Sequence, residues 1–64
     1  MENNINEWIE KRGYKKKWVA EQLKVSQNVL SRWINGHSMP SLEKALHLAD
    51  ILDCKVDDLY KRKD

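Results

Sequence analysis

Only three residues, Lys24-Val25-Ser26, separate two stretches in which apolar side chains recur at helical spacing. Val19, Ala20 and Leu23 precede the break, and Leu30, Trp33 and Ile34 follow it. So short a connection does not let two helices lie antiparallel; it makes them cross steeply, as in a helix-turn-helix unit. An ordinary helical corner has the same spacing, so the turn alone leaves both open.

The same periodicity fills the rest of the chain. Ile5, Trp8 and Ile9 mark a first helix, with Asn3 or Asn4 as its cap and Gly13 after its end. Ser26 opens the third helix and Asn35-Gly36 closes it. Met39-Pro40 predicts an extended stretch, because a residue before proline avoids the α region. Ser41 then caps a fourth helix with Leu42, Ala45, Leu46, Ala49 and Leu52 inside, and Val56, Leu59 and Tyr60 mark a short fifth. Two Gly, one Pro and no Phe in 64 residues fit an all-α, five-helix fold. No repeat or linker divides the chain, so residues 1–64 are expected to form one domain, with the helix-turn-helix unit at about 16–35.

Size limits how such a fold is held. A chain this short buries only about 60% of its unfolded surface. Cys54 is its only cysteine, so no disulfide staples it. One Cys with His37 and His47 gives no zinc-ligand spacing, so no metal and no cofactor is expected. A lone thiol fits a reducing compartment. No apolar run reaches the roughly 18 residues of a membrane span, and no basic-then-apolar signal segment opens the chain. A cytoplasmic location is expected, with no membrane partner. There is no nucleophile motif, paired-carboxylate signal or phosphate loop, so an enzyme is not expected.

Net charge is only +2. Its distribution says more. Residues 1–38 hold seven Lys/Arg against four acids, whereas residues 39–64 hold five against six. Lys15, Lys16 and Lys17 stand in a row. Such a stripe can bind phosphate, although a solvated helix end has the same composition.

The third helix decides more. At about 100° per residue, Leu30, Trp33 and Ile34 share a buried side. Asn28, Ser31, Arg32 and Asn35 lie opposite, Val29 sits on the border, and Gln27 projects from the N-terminal end. Gln and Asn can bond adenine through both amide atoms, and Arg can do the same to guanine. No acid on this face repels phosphate. A polar face is also what any surface helix shows, so the weight lies in its conjunction with the short turn, the lysines and the loop. That loop, Asn35-Gly36-His37-Ser38, offers backbone N–H groups, an amide and a hydroxyl to phosphate. Lys16, near the start of the second helix, would reach the backbone on the other side, where a helix N-terminus favours phosphate.

Three stretches carry a family resemblance: Val19-Ala20-Glu21-Gln22-Leu23-Lys24-Val25-Ser26, Leu30-Ser31-Arg32-Trp33-Ile34-Asn35-Gly36, and Pro40-Ser41-Leu42-Glu43-Lys44-Ala45-Leu46 with Ala49-Asp50-Ile51-Leu52. With Val56-Asp57-Asp58-Leu59-Tyr60 as a closing helix, the chain resembles the phage repressor/Cro-like (XRE-type) helix-turn-helix family from about Ile5 to Tyr60. The resemblance implies a lambda-repressor-like, five-helix domain that binds operator double-stranded DNA, usually as a homodimer. It places base reading on Gln27, Asn28, Val29 and Arg32. Phosphate contact falls on Lys16, Asn35, His37 and Ser38, with Lys15, Lys17 and Ser31 beside them. Val29 could meet a thymine methyl or pack; packing is favoured. Family dimers often meet around the connection from fourth to fifth helix, here Ile51, Asp53, Cys54, Lys55 and Asp58.

The departures from the family pattern are specific. An Arg–Glu pair that some members bury is replaced by Ile9 and Ile34, which reads as a core swap. Lys24 and Asp53 stand at usual glycines, and Lys15 and Lys55 stand where caps are expected. Trp8 and Trp33 fall on apolar faces, whereas Trp18 points away from Val19, Ala20 and Leu23. An exposed Trp suggests a partner surface, which Tyr14, Ile51 and Tyr60 could share. Cys54 reads as a small apolar residue rather than a redox switch. The leading expectation is a sequence-specific transcriptional regulator of phage or mobile-element type, a repressor acting by promoter occupancy. The alternative is a helix-turn-helix scaffold used as a protein-interaction module, or an antitoxin-like regulator gated by a protein partner.

Overall fold

A computed structural model describes residues 2–60. They form α1 (Ile5–Arg12), α2 (Lys16–Leu23), α3 (Gln27–Ile34), α4 (Leu42–Leu52) and α5 (Val56–Leu59). The expected all-α, five-helix order is therefore present, with the short α2–α3 turn in place and Met39-Pro40 outside any helix.

Four helices stop in the same way. The chain enters the left-handed region at Gly13, Lys24, Gly36 and Asp53, with φ of 73°, 58°, 76° and 54°. Each time, the next residue's N–H reaches back to a carbonyl of the last turn: Tyr14 to Ile9 at 3.1 Å, Val25 to Ala20 at 3.0 Å, His37 to Arg32 at 2.9 Å and Cys54 to Ala49 at 3.0 Å. These bonds satisfy carbonyls that a helix end otherwise leaves open. Val25 and Cys54 also pack against the core, so each turn is anchored by an apolar contact.

The helix starts differ. Ser26 and Ser41 cap α3 and α4 as expected, each hydroxyl accepting a backbone N–H, from Val29 at 3.1 Å and Lys44 at 3.2 Å. At α1 the expected Asn cap divides in two. Asn3 Oδ1 accepts the Ile5 N–H, while Asn4 turns its amide to the Asp58 carbonyl. Lys15 gives α2 no side-chain cap. At α5, Lys55 likewise supplies no acceptor, but the Asp58 carboxylate accepts the Lys55 N–H at 3.0 Å.

One apolar cluster unites the helices. Ile5 and Ile9 from α1, Val19, Ala20 and Leu23 from α2, Leu30 and Trp33 from α3, Leu48, Ala49 and Leu52 from α4, and Leu59 from α5 are all buried. Burying each large side chain contributes about 1.5–3 kcal/mol. Ile9 is fully enclosed and Ile34 packs on the same cluster, as an apolar swap for an ion pair requires.

Two expectations about the core need correcting. On α4, Leu42 and Leu46 are 73% and 51% exposed, and Leu48, which the pattern overlooked, is fully buried. The buried stripe is Ala45, Leu48, Ala49 and Leu52, an i, i+3, i+4, i+7 face. Leu42 begins the helix beyond the reach of the core, and Leu46 lies on its flank. Trp8 is only half-buried: it lies against the core, donates Nε1–H to the Asp58 carbonyl at 3.1 Å, and is covered outside by Lys11 and Arg12.

Long-range polar bonds then fix the helix ends to one another. Arg12 donates to the carbonyls of Leu52 and Asp53, at 2.7 and 3.1 Å. Lys44 Nζ donates to the Leu23 carbonyl at 2.6 Å, at the C-terminus of α2. Cations at these ends also meet the negative pole of the helix. Asn3 donates to the carbonyls of Trp33 and Ile34 at 3.0 and 3.4 Å, and Asn4 N–H bonds the Leu59 carbonyl at 2.7 Å. An antiparallel bridge pairs Asn3 with Tyr60.

Candidate nucleic-acid interface

The position of α3 is set from below and from both ends. Leu30 and Trp33 bind it to the core, Ser26 fixes its start, and Asn3 holds its final carbonyls. With its buried side committed, the opposite side is presented to solvent. Gln27, Asn28, Ser31, Arg32 and Asn35 are all exposed there, and no acidic side chain lies on the helix. With side chains an α-helix is about 10–12 Å across, which a B-DNA major groove about 12 Å wide admits. Val29 is half-buried and packs on the core, which accords with packing rather than a free methyl surface.

The basic segment spans the start of α2, with Lys15 at its N-cap and Lys16 and Lys17 in its first turn. Lys15, Lys16 and Lys17 are exposed, and the Lys15 side chain caps no N–H of the first turn of α2. The N–H groups of that turn and three ammonium groups therefore gather at one end of the helix.

The loop after α3 is less open than its sequence suggests. The backbone N–H groups of Asn35, Gly36, His37 and Ser38 bond the carbonyls of Ser31, Trp33, Arg32 and Arg32. They cap α3 and are not free for phosphate, so only side chains in this loop remain for that role. Those of Asn35 and His37 are exposed, and that of Ser38 is half-buried.

The α4–α5 connection has a different character. Ile51 and Cys54 are half-buried and pack on the core, leaving Asp53, Lys55 and Asp58 exposed. Burial first, then the Asp58 and Asp53 charges, push the Cys54 thiol above its ordinary pKa, and Arg12 opposes them. The thiol is therefore protonated and weakly reactive at neutral pH. Burial likewise raises the Tyr60 phenol.

Sequence reasoning missed the long-range positioning roles of Asn3, Arg12 and Lys44, since their partners lie 21 to 41 residues away. It also missed the exposure of Met39, Leu42 and Leu46. Among the described residues, no group of three or more His, Cys, Asp or Glu could hold a metal ion, and no helix is long and apolar enough to cross a membrane.

Comparison with known proteins agrees with this geometry. A helix-turn-helix family model matches residues 5–59. A candidate DNA-binding protein from Bacteroides fragilis superposes with a TM-score of 0.83 at 31% identity, over 91% of this chain and 94% of that one. A transcriptional regulator from Listeria innocua superposes with a TM-score of 0.75 at 21% identity, over 100% of this chain and 65% of that one, a likeness of fold. A search among curated proteins returns no match.

Proposed function

Because the chain belongs to the helix-turn-helix family, which matches it from residue 5 to residue 59, we propose that it is a sequence-specific, double-stranded-DNA-binding transcriptional regulator. It acts by binding rather than by catalysis. The observation that carries this is the exposed side of α3, where Gln27, Asn28 and Arg32 stand together without an acid. These are side chains suited to base edges. Lys15, Lys16, Lys17, Ser31, Asn35, His37 and Ser38 flank them and hold phosphates, which set register. Val29 packs beneath the reading side chains.

Regulation is by occupancy. Two copies would place their α3 helices in successive major grooves about 34 Å apart and block a promoter. The XRE-type resemblance favours a repressor of the kind that phages and mobile elements carry, working on DNA in the cytoplasm. The shared core of all five helices supports reading residues 1–64 as one DNA-binding domain.

The test is selection of bound fragments from the source genome by purified protein at two salt concentrations. A short, roughly palindromic site whose binding weakens steeply with salt is the expected result, since phosphate contacts release counterions. No enrichment at either salt by folded protein would overturn the proposal.

A further inference from the structure

Tyr14 and Trp18 form the main exposed aromatic surface among the described residues. They are 37% and 40% exposed, and their rings pack tilted against each other, with centroids 4.7 Å apart at 48°. Neither ring supports the core. The charge around them is mainly positive: residues 11–20 hold five cations and no acid, with Glu10 just before them. Lys11 and Arg12 cover Trp8, which leaves Lys15 and Lys17 exposed beside the pair, with Lys16 between them. Glu21, one turn further along α2, is the next acid.

A tilted aromatic plate has little to gain from duplex DNA, whose phosphates offer no apolar face and whose bases are already stacked. Single strands are tracked by several aromatics in a groove. Here Trp33 is buried and the Trp8 face is taken, so one pair stands alone. A protein side chain suits it better, because Trp and Tyr are the residues that anchor protein interfaces. The surrounding lysines select an acidic partner by complementarity.

We propose that Tyr14 and Trp18, with Lys15 and Lys17, dock an acidic protein segment bearing an aromatic or leucine anchor. A second consequence rests on the function proposed above. The same lysines would hold phosphate, so this partner and DNA compete, and the partner releases the regulator from its site.

The test begins with a displayed library of short random peptides, selected against the full chain. Enriched sequences are then measured as synthetic peptides. They should be net acidic with a Leu, Phe or Trp, and should displace duplex DNA. Trp18→Ala should weaken them at least about tenfold, and the double change Lys15→Glu, Lys17→Glu should do the same. Arg32→Ala should leave them unchanged. No enrichment, no acidic bias, indifference to Trp18→Ala, or tighter binding of oligothymidylate at the same rings would overturn the proposal. Trp18-dependent peptide binding by a chain that retains no genomic duplex would uphold the docking surface and overturn the competition.

Discussion

Lys24 and Asp53 hold φ of 58° and 54°, a region that costs an ordinary L-residue about 1–2 kcal/mol. The chain tolerates this because each closes a helix with a back-directed N–H bond and is followed by a residue packed on the core. Lys24→Gly should raise stability by up to about 1 kcal/mol in urea unfolding, strain relief being partly offset by a looser unfolded chain. Asp53→Gly should gain less, because Asp enters this region more readily. Two of the four left-handed positions carry glycine and could be read directly; the other two were legible only from family register. Cys54 and Tyr60 give a second residue-scale prediction. Burial raises both above their unfolded values, so their contribution is complete below the unfolded pKa and is lost as pH climbs through the folded one. Thermal unfolding should therefore show stability falling in the alkaline range, and the loss should be smaller in Cys54→Ala, Tyr60→Phe protein.

At the scale of the element, α3 and α4 differ in how much their sequences disclose. The apolar residues of α3 fall on one side and leave no rival face, so its exposed side followed from spacing alone. Helix α4 has four leucines and two overlapping stripes. Only packing against the other helices selects Leu48 over Leu42 and Leu46. Leu48→Ala should accordingly cost about 2–5 kcal/mol. Leu42→Lys and Leu46→Lys should each shift stability by no more than about 0.5 kcal/mol, as surface changes do. Equal losses at all three would contradict the observed face. Helix ends joined across the fold were not legible either, because nothing local marks Arg12 as the partner of α4. Removing its two bonds to Leu52 and Asp53 by Arg12→Ala should cost about 1.5–3 kcal/mol.

For the whole molecule, five short helices supply one core, and two of its polar ties hold the ends of the helix that carries the exposed Gln, Asn and Arg side chains. Asn3 at one end of the chain and Ser26 in the turn fix α3 without occupying its outer side. The five-helix order was legible because caps, turn and periodicity agree along nearly the whole chain. The availability of groups was not: the N–H row after α3 looked free and is spent on capping. In the proposed function, base reading and phosphate holding fall to separate side chains, which gives the central claim its direct measurement. Affinity for a selected site and for random duplex is compared across wild type, Arg32→Ala and Lys16→Ala. The account predicts that Arg32→Ala weakens the selected site by about 1–3 kcal/mol and leaves random duplex nearly unchanged. Lys16→Ala should weaken both alike and reduce the salt slope by about one. Equal losses on both duplexes from Arg32→Ala, or no loss on either, would contradict the claim that the exposed side of α3 reads sequence.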